Sequence, residues 1–191
     1  MLRDLVLKNR SYRRFYHAEP ISETQLIDWV DLARNSASAR NAQPLKYFLS
    51  AREELNAHIF EHLAWAGYYT EWPGPEEGER PSAYIIVLRD TLIPGNFMCD
   101  DGIASQSILL GATEAGFGGC IIHNVDRKNL SKLLELAGNL EIVQVLALGK
   151  PKETVLLEEM KNGEIKYWRD ENQVHHVPKR SLDEIIVSKK R

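Results

Sequence analysis

The sequence predicts a single α+β domain built around a central β-sheet. Short apolar runs typical of buried strands alternate with longer segments that have the apolar periodicity of helices. Helices interleaved with four or five strands are typical of this fold class. A length of 191 residues suits one domain with a sizeable core, so residues 1–191 are taken as one unit.

The first half of the chain is predicted to contain three helices and one strand. Apolar spacing near the start indicates a short helix that delivers Arg10 at its carboxyl end. A capping box at Ser22–Gln25 begins a second helix, which ends near Arg34 and is followed by a polar loop to Pro44. The next predicted elements are a strand at 47–49 and a helix at 52–65.

The second half begins with a loop at 67–81 that is rich in glycine, proline, glutamate and aromatic residues. Long irregular loops of this kind are often lids or binding segments. Three apolar runs then predict buried strands, and the segments between them have helical spacing. The predicted strands lie at 83–88, 119–122 and 142–148, and the predicted helices at 100–115 and from 126 or 127 to 137.

The segment 151–191 is more polar than the rest of the chain. A hairpin is predicted between residues 165–168 and 174–177, and Ser181 is expected to cap a last helix at 182–187. This segment is too polar to form a core of its own. We therefore expect an arm that lies on a partner subunit.

Composition excludes several classes of protein. The formal net charge of −3 argues against nucleic acid as a partner, and no apolar run approaches the roughly 20 residues that would cross a membrane. Cys99 and Cys120 form no disulfide framework, which favours a reduced, cytoplasmic protein. His58 and His62 have no evident third ligand, so no metal site is predicted.

The first motif with chemical content is the basic heptad at residues 9–15. It carries Arg10, Ser11, Arg13 and Arg14 within five positions. Guanidinium groups bind phosphate in a bidentate manner, and a serine hydroxyl adds a donor, so the cluster suits a phosphomonoester. A solvated basic turn is the alternative, because charge clusters usually lie on the surface.

A second motif occupies residues 38–44, Ser-Ala-Arg-Asn-Ala-Gln-Pro. The side chains of Asn41 and Gln43 each offer donors and acceptors, as needed to bind the edge of a heterocycle. Pro44 is expected to restrict Gln43 to extended geometry. In isolation, a polar turn between a helix and a strand explains this motif better.

Together, in this order, the two motifs resemble those of the nitroreductase-like flavoprotein family. That family has Arg-Ser-Ile-Arg-x-Phe, matched by residues 10–15, and Pro-Ser-x-x-Asn-x-Gln-Pro-Trp, matched by residues 37–45. Later landmarks also fit: Asp100-Asp101 at the start of a long helix, Gly-x-Gly-x-Cys at 116–120, and a basic residue before Ser-Leu-Asp-Glu at 179–184. Ala37, Arg40 and Leu45 depart from the pattern.

The resemblance implies a nitroreductase-like fold with a central, mostly antiparallel sheet flanked by helices. It also implies a homodimer that exchanges extended C-terminal arms, formed here by residues 151–191, and binds FMN at the subunit interface. Its implied cofactor contacts come from several parts of the chain. Arg10 and Ser11 would bind the phosphate and the ribityl chain, in a motif that also includes Tyr12, and Arg13 would lie near the pyrimidine edge of the flavin. Ser38, Asn41 and Gln43 would contact the flavin from the other subunit. Backbone groups at His123 and Asn124 would approach the redox-active nitrogen, and Arg180, with Lys179, would complete the phosphate clamp.

The implied activity is an FMN-dependent oxidoreductase that works by a ping-pong scheme. NADH or NADPH would deliver hydride to the flavin, and an electron-poor acceptor such as a nitroaromatic, quinone or enone would then take the electrons. No catalytic side chain is predicted, because the cofactor carries the chemistry. Alternatives are reductive dehalogenation or flavin fragmentation on the same fold, or a flavin-binding protein without turnover.

Residues around the substrate pocket remain open to two interpretations. Arg40 would either favour anionic substrates or face solvent. The aromatic residues at the start of the predicted loop would either line the pocket or anchor the loop by burial. They are Trp65, Tyr68, Tyr69 and Trp72.

Overall fold

The computed structural model describes residues 1–69, 71–95 and 97–188. The helices are α1 (Leu2–Lys8), α2 (Glu23–Arg34), α3 (Glu53–Phe60), α4 (Asp100–Glu114), α5 (Arg127–Leu133) and α6 (Leu182–Ile185). The strands are β1 (Leu45–Ser50), β2 (Ala83–Asp90), β3 (Gly118–Ile122), β4 (Leu140–Gly149), β5 (Val155–Glu159), β6 (Trp168–Arg169) and β7 (His175–Lys179). None of the described helices is long and apolar enough to cross a membrane.

The first four strands form one antiparallel sheet in the order β1-β2-β4-β3. The sheet is covered on both faces. Successive residues of β2 point to opposite sides and enter two different cores. Tyr84 and Ile86 pack in the core that contains Ile59 of α3, whereas Ile85 packs in the core that contains Ile108 of α4. The predicted α+β class and central, mostly antiparallel sheet are therefore confirmed.

Two helices are shorter than predicted, and tertiary contacts explain why. The helix at 52–65 ends at Phe60, because the chain beyond it pairs with the segment after β3: Leu63 bridges Val125, and the Ala64 N–H donates to the Asn124 carbonyl. The helix expected to reach residue 137 ends at Leu133. Just beyond it, the backbone adopts a left-handed conformation, with a φ of 50° at residue 135.

The C-terminal segment forms a second sheet in the order β5-β7-β6. β6 and β7 make the predicted hairpin in a shorter form, displaced toward residues 168–169 and 175–179. β5, which runs parallel to β7, was not predicted, and α6 ends at Ile185 rather than residue 187. Exchange of this arm between subunits stays a prediction, and its last residues, 189–191, lie outside the described residues.

Candidate functional site

The basic motif is fixed to the β3 edge of the main sheet. Ser11 forms a parallel bridge with Gly119, and the Tyr12 N–H donates to the Gly119 carbonyl over 3.1 Å. A Cβ at Gly118 would lie 2.7 Å from the ring of Tyr12. Only glycine leaves room for this close approach, so β3 and the motif fit together through the absence of a side chain.

A cavity of about 130 Å³ lies between this motif and the C-terminal sheet. Positions more than 140 residues apart in the chain meet there. Its lining consists of Arg10, Ser11 and Arg13 from the motif and Val155, Tyr167, His175, Val177 and Lys179 from the C-terminal segment. The cavity therefore collects positive side chains from both ends of the chain.

Arg10 is held in place and still has an unused donor. Its Nη2 donates to the Val6 carbonyl over 2.6 Å, close to the end of α1. Its Nε is buried and has no hydrogen-bond partner in the described structure. A buried donor without a partner is costly, and a guanidinium presents its donors in a planar array that matches phosphate. Arg10 lines the cavity and thus brings a group suited to an anion to its wall.

Arg13 is positioned by the loop that follows α3. Its Nε donates to the Trp65 carbonyl over 3.0 Å, and its guanidinium lies 5.3 Å from the centre of the Tyr167 ring. Its backbone N–H donates to the carboxylate of Glu153, which also pairs with Arg169 at 2.9 Å. Glu153 has only 1% of its side chain exposed, so this carboxylate links the motif to the C-terminal sheet inside the protein.

Arg14 has a structural role and does not line the cavity. It forms a two-pronged ion pair with Glu79, which Lys152 also contacts at 2.8 Å. The hydrogen bond from Arg14, followed by that from Lys152, lowers the pKa of Glu79 to about 2. This ion pair ties the loop at 67–81 to the basic motif.

The C-terminal cation in the cavity is Lys179 rather than Arg180. Arg180 is exposed and pairs with Glu184 of α6, and Ser181 caps that helix by accepting a hydrogen bond from the Glu184 N–H at 3.3 Å. Because alternate residues of a strand share a face, Lys179 points to the same side of β7 as His175. The part of Arg180 in a phosphate clamp, with Lys179, stays a prediction.

The second motif forms a tight turn locked onto the start of α4. The Ser38 hydroxyl donates to the buried carboxylate of Asp100 over 2.6 Å, and the Ala39 N–H donates to the same carboxylate over 2.9 Å. The Gln43 N–H in turn donates to Ser38 Oγ over 2.9 Å. This turn gives Gln43 a φ of 50°, so the prediction that Pro44 keeps it extended is wrong.

The turn borders a second cavity of about 220 Å³. Ser38, Gln43, Tyr47 and Asp100 are part of its lining, whereas Arg40 and Asn41 are exposed and line neither cavity. Burial, and secondarily the charge of Asp100, raises the pKa of Tyr47 to about 12. Gln43 Nε2 donates to Asn41 Oδ1 over 3.1 Å, so the two amides of the motif contact each other.

The two motifs lie at opposite edges of the main sheet. The basic motif bridges β3, whereas the second motif leads directly into β1, and the strand order places β2 and β4 between them. Three interstrand spacings amount to about 14 Å. Within one chain, the cavity beside the basic motif and the cavity beside the second motif are therefore separate, and the motifs do not meet.

The remaining predicted cofactor residues lie outside both cavities. His123 and Asn124 are exposed, and their carbonyl oxygens accept hydrogen bonds from Arg127 at 3.1 Å and from the Ala64 N–H at 3.0 Å. The Tyr12 hydroxyl donates to the Lys8 carbonyl over 2.8 Å. These three residues therefore have structural contacts within the chain.

The aromatic residues near the loop divide into two groups. Trp65 is buried in the core beside Phe60, and Trp72 also packs there, so these two anchor the loop. Tyr68 and Tyr69 pack against Tyr167, at centroid distances of 4.9 and 5.4 Å. The loop thus reaches the cavity through Tyr167. Position 70 lies outside the described residues.

Sequence reasoning missed four residues of the first cavity: Val155, Tyr167, His175 and Val177. One signal for His175 was available, because alternate residues of the predicted strand at 174–177 share a face and continue to Lys179. Tyr167 carried no such signal, since its contact with Arg13 depends on how the C-terminal segment packs against the basic motif.

Cations from both ends of the chain line one cavity, and this arrangement suits an anionic small molecule. The comparison with family models makes this more specific. The Nitroreductase family model matches residues 6–150, and the chain belongs to this family. The predicted resemblance is confirmed.

Solved structures show the same fold at low sequence identity. A nitroreductase family protein from Streptococcus pneumoniae TIGR4 is 15% identical, with a TM-score of 0.70 over 99% of this chain and 100% of that one. An FMN-dependent nitroreductase from Clostridium difficile R20291 is 17% identical, with a TM-score of 0.63 over 82% and 88%. The NADPH:FMN oxidoreductase from Vibrio harveyi, complexed with NAD+, is 21% identical, with a TM-score of 0.61 over 88% and 73%. No curated protein matches the chain significantly.

Proposed function

We propose that this protein is an FMN-dependent NAD(P)H oxidoreductase that reduces an electron-poor small molecule. The main observation in support of this function is the cavity lined by Arg10, Ser11, Arg13 and Lys179. Similar structures described as an FMN-dependent nitroreductase and as an NADPH:FMN oxidoreductase complexed with NAD+ support the same cofactors. A nitroaromatic, quinone or enone acceptor and a cytoplasmic location are part of the proposal.

The residues of the first cavity fit the phosphate end of FMN. A phosphomonoester carries about two negative charges near neutral pH, which Arg10 and Lys179 would balance. The unpartnered Arg10 Nε supplies a donor, and the exposed Ser11 hydroxyl can add another. Arg13 would then face the pyrimidine edge of the ring, where a fixed guanidinium stabilises negative charge. When bound, the flavin supplies the two-electron chemistry, accepting hydride from NADH or NADPH and reducing the acceptor.

A homodimer would complete the site. A cavity of about 130 Å³ is below the roughly 300 Å³ typical of small-molecule sites, and the second motif is on the far edge of the sheet. We propose that Ser38, Asn41 and Gln43 of one subunit join the basic motif of the other. Backbone groups at His123 and Asn124 are proposed to lie near the redox-active nitrogen.

FMN titration of the purified protein tests the proposal. We expect a stable yellow complex, bleached by NADH or NADPH under anaerobic conditions and restored to yellow by an electron acceptor. Lys179→Ala should weaken FMN binding about tenfold or more through loss of a charged contact, while the matched Arg180→Ala change should have a smaller effect. Protein that stays colourless with FMN would exclude the proposal, and a bound flavin that NAD(P)H does not reduce would indicate flavin binding without turnover.

A further inference from the structure

His175 lies in the cavity with Arg10 and Lys179, although neither sequence motif includes it. It is 2% exposed, and its Nδ1 has no hydrogen-bond partner within the described residues. Buried polar atoms in proteins are nearly always hydrogen bonded, because leaving one unpaired costs free energy. The imidazole is therefore suited to contact a group that enters the cavity.

The direction of β7 indicates which end of the cavity His175 occupies. His175, Val177 and Lys179 all line it, and four residues of a strand span about 13 Å. The His175 ring lies 5.1 Å from the Tyr167 ring, and the Arg13 guanidinium lies 5.3 Å from that same ring. Lys179 thus marks one end of the cavity, and His175 marks the end at which Arg13 is held.

The imidazole is neutral at physiological pH. Burial, followed by the charges of Arg13, Arg169 and His176, lowers the pKa of His175 to about 4. A neutral imidazole has one donor and one acceptor nitrogen. It can bind a polar edge without adding another positive charge to a cavity that already contains several cations.

We propose that His175 is a cofactor-binding residue whose Nδ1 hydrogen-bonds the polar pyrimidine edge of the flavin beside Arg13, while Arg10 and Lys179 bind the phosphate. That edge has two carbonyl oxygens and one ring N–H, so either protonation state of Nδ1 in the neutral ring finds a partner. The inference rests on the proposed function. It adds a contact that belongs to this chain's own C-terminal sheet.

The proposal predicts opposite effects on stability and on affinity. Without flavin, the unpaired Nδ1 destabilises the protein, so an apolar ring of similar size should leave the melting temperature unchanged or raise it. With flavin, that apolar ring cannot make the hydrogen bond, so binding should weaken. A residue that only packs would change stability and affinity in the same direction.

Three variants separate these cases, measured by FMN titration and by thermal unfolding of the flavin-free protein. His175→Phe keeps the ring and removes the polar atoms, His175→Asn keeps a polar atom near the Nδ1 position, and His175→Gln places it near the Nε2 position. We expect His175→Phe and His175→Gln to bind FMN about fivefold more weakly than wild type, and His175→Asn to bind within about twofold of it. The melting temperature of flavin-free His175→Phe should be at least that of wild type.

Equal FMN affinities of His175→Phe and wild type would overturn the inference, as would parallel losses of stability and affinity. If His175→Phe does not fold, the Asn and Gln variants decide, and equal affinities of these two would also overturn it. A wild-type protein that binds no FMN would instead refute the proposed function. Normal wild-type binding that Lys179→Ala weakens, together with unchanged affinity in the His175 variants, would refute only the role of His175.

Discussion

The two sheets of this protein are stabilised in different ways. In the main sheet, β2 is buried from Ala83 to Leu88 and packs on both faces. In the C-terminal sheet, β5 is largely exposed, with Leu156 at 47% and Leu157 at 38%. Apolar burial stabilises the first sheet, whereas the second has little apolar area to bury.

Polar and aromatic contacts hold the C-terminal sheet instead. Glu153 joins it to the basic motif, and Tyr167 packs on Tyr68 and Tyr69 of the loop. His176 contacts the carboxylates of Glu158 at 2.5 Å and Asp170 at 3.4 Å, and stacks on Trp168 at 4.0 Å. We therefore expect the C-terminal segment to loosen locally while the main sheet stays folded.

His175 and His176 lie in different environments although they are adjacent in β7, because neighbouring side chains of a strand point to opposite sides. His175 faces the cavity, where burial lowers its pKa. His176 faces away, and its hydrogen bond to Glu158, assisted by Asp170, raises its pKa. Burial thus favours the neutral form of His175 beside the proposed cofactor, whereas the neighbouring carboxylates favour the charged form of His176.

The largest expected effect separates the two sheets directly. Ile86→Ala removes a fully buried side chain of β2 and should lower the free energy of unfolding by about 2–5 kcal/mol. Leu157→Ala in β5 should lower it by less, because that side chain is 38% exposed within the chain. Urea unfolding of both variants measures the difference. Similar losses would mean that the two sheets share one core.

A smaller effect is expected where the two regions are joined. Glu153→Gln leaves the mostly buried guanidinium of Arg169 without its ion pair and should cost about 1–3 kcal/mol. The loss should appear mainly as faster hydrogen exchange and proteolysis in residues 151–188, with the main sheet protected as before. Glu159→Gln, at an exposed position of β5, is the control. Uniform loss of protection across the chain would contradict local loosening.

The smallest effect is a pH dependence of the C-terminal sheet. The folded pKa of His176 lies above its unfolded value of about 6.5, so its stabilisation is complete below that pH and is lost as pH rises through the folded pKa. For His175 the folded pKa of about 4 is lower, so its contribution is present above about 6.5 and is lost as pH falls toward 4. Hydrogen exchange of the β7 amides, corrected for intrinsic rates, should therefore be slowest at about pH 6.5, where both histidines contribute to stability. His176→Gln should remove the loss of protection on the alkaline side. An unchanged pH profile of exchange would refute the role of His176 in stabilising the C-terminal sheet.

Sequence patterns predicted the features that depend on neighbouring residues. The apolar run at 83–88 became β2, and the capping box at Ser22–Gln25 begins α2 with the Ser22 hydroxyl accepting from the Gln25 N–H. The ordered motifs predicted the family, which the match over residues 6–150 confirms. These signals are local, since strand alternation and helix capping involve residues only two or three positions apart.

The tertiary structure decided what depends on distant partners. It ended α3 at Phe60 through pairing with residues after β3, turned Gln43 into a left-handed conformation through Ser38 and Asp100, and brought Lys179 rather than Arg180 to Arg10. It also gave His175 and His176 opposite charge preferences. The sequence determines which side chains alternate along a strand. Only the folding of the C-terminal segment and its packing against the basic motif determine which face meets water, a carboxylate or the cavity, because desolvation and charge pairing act through space.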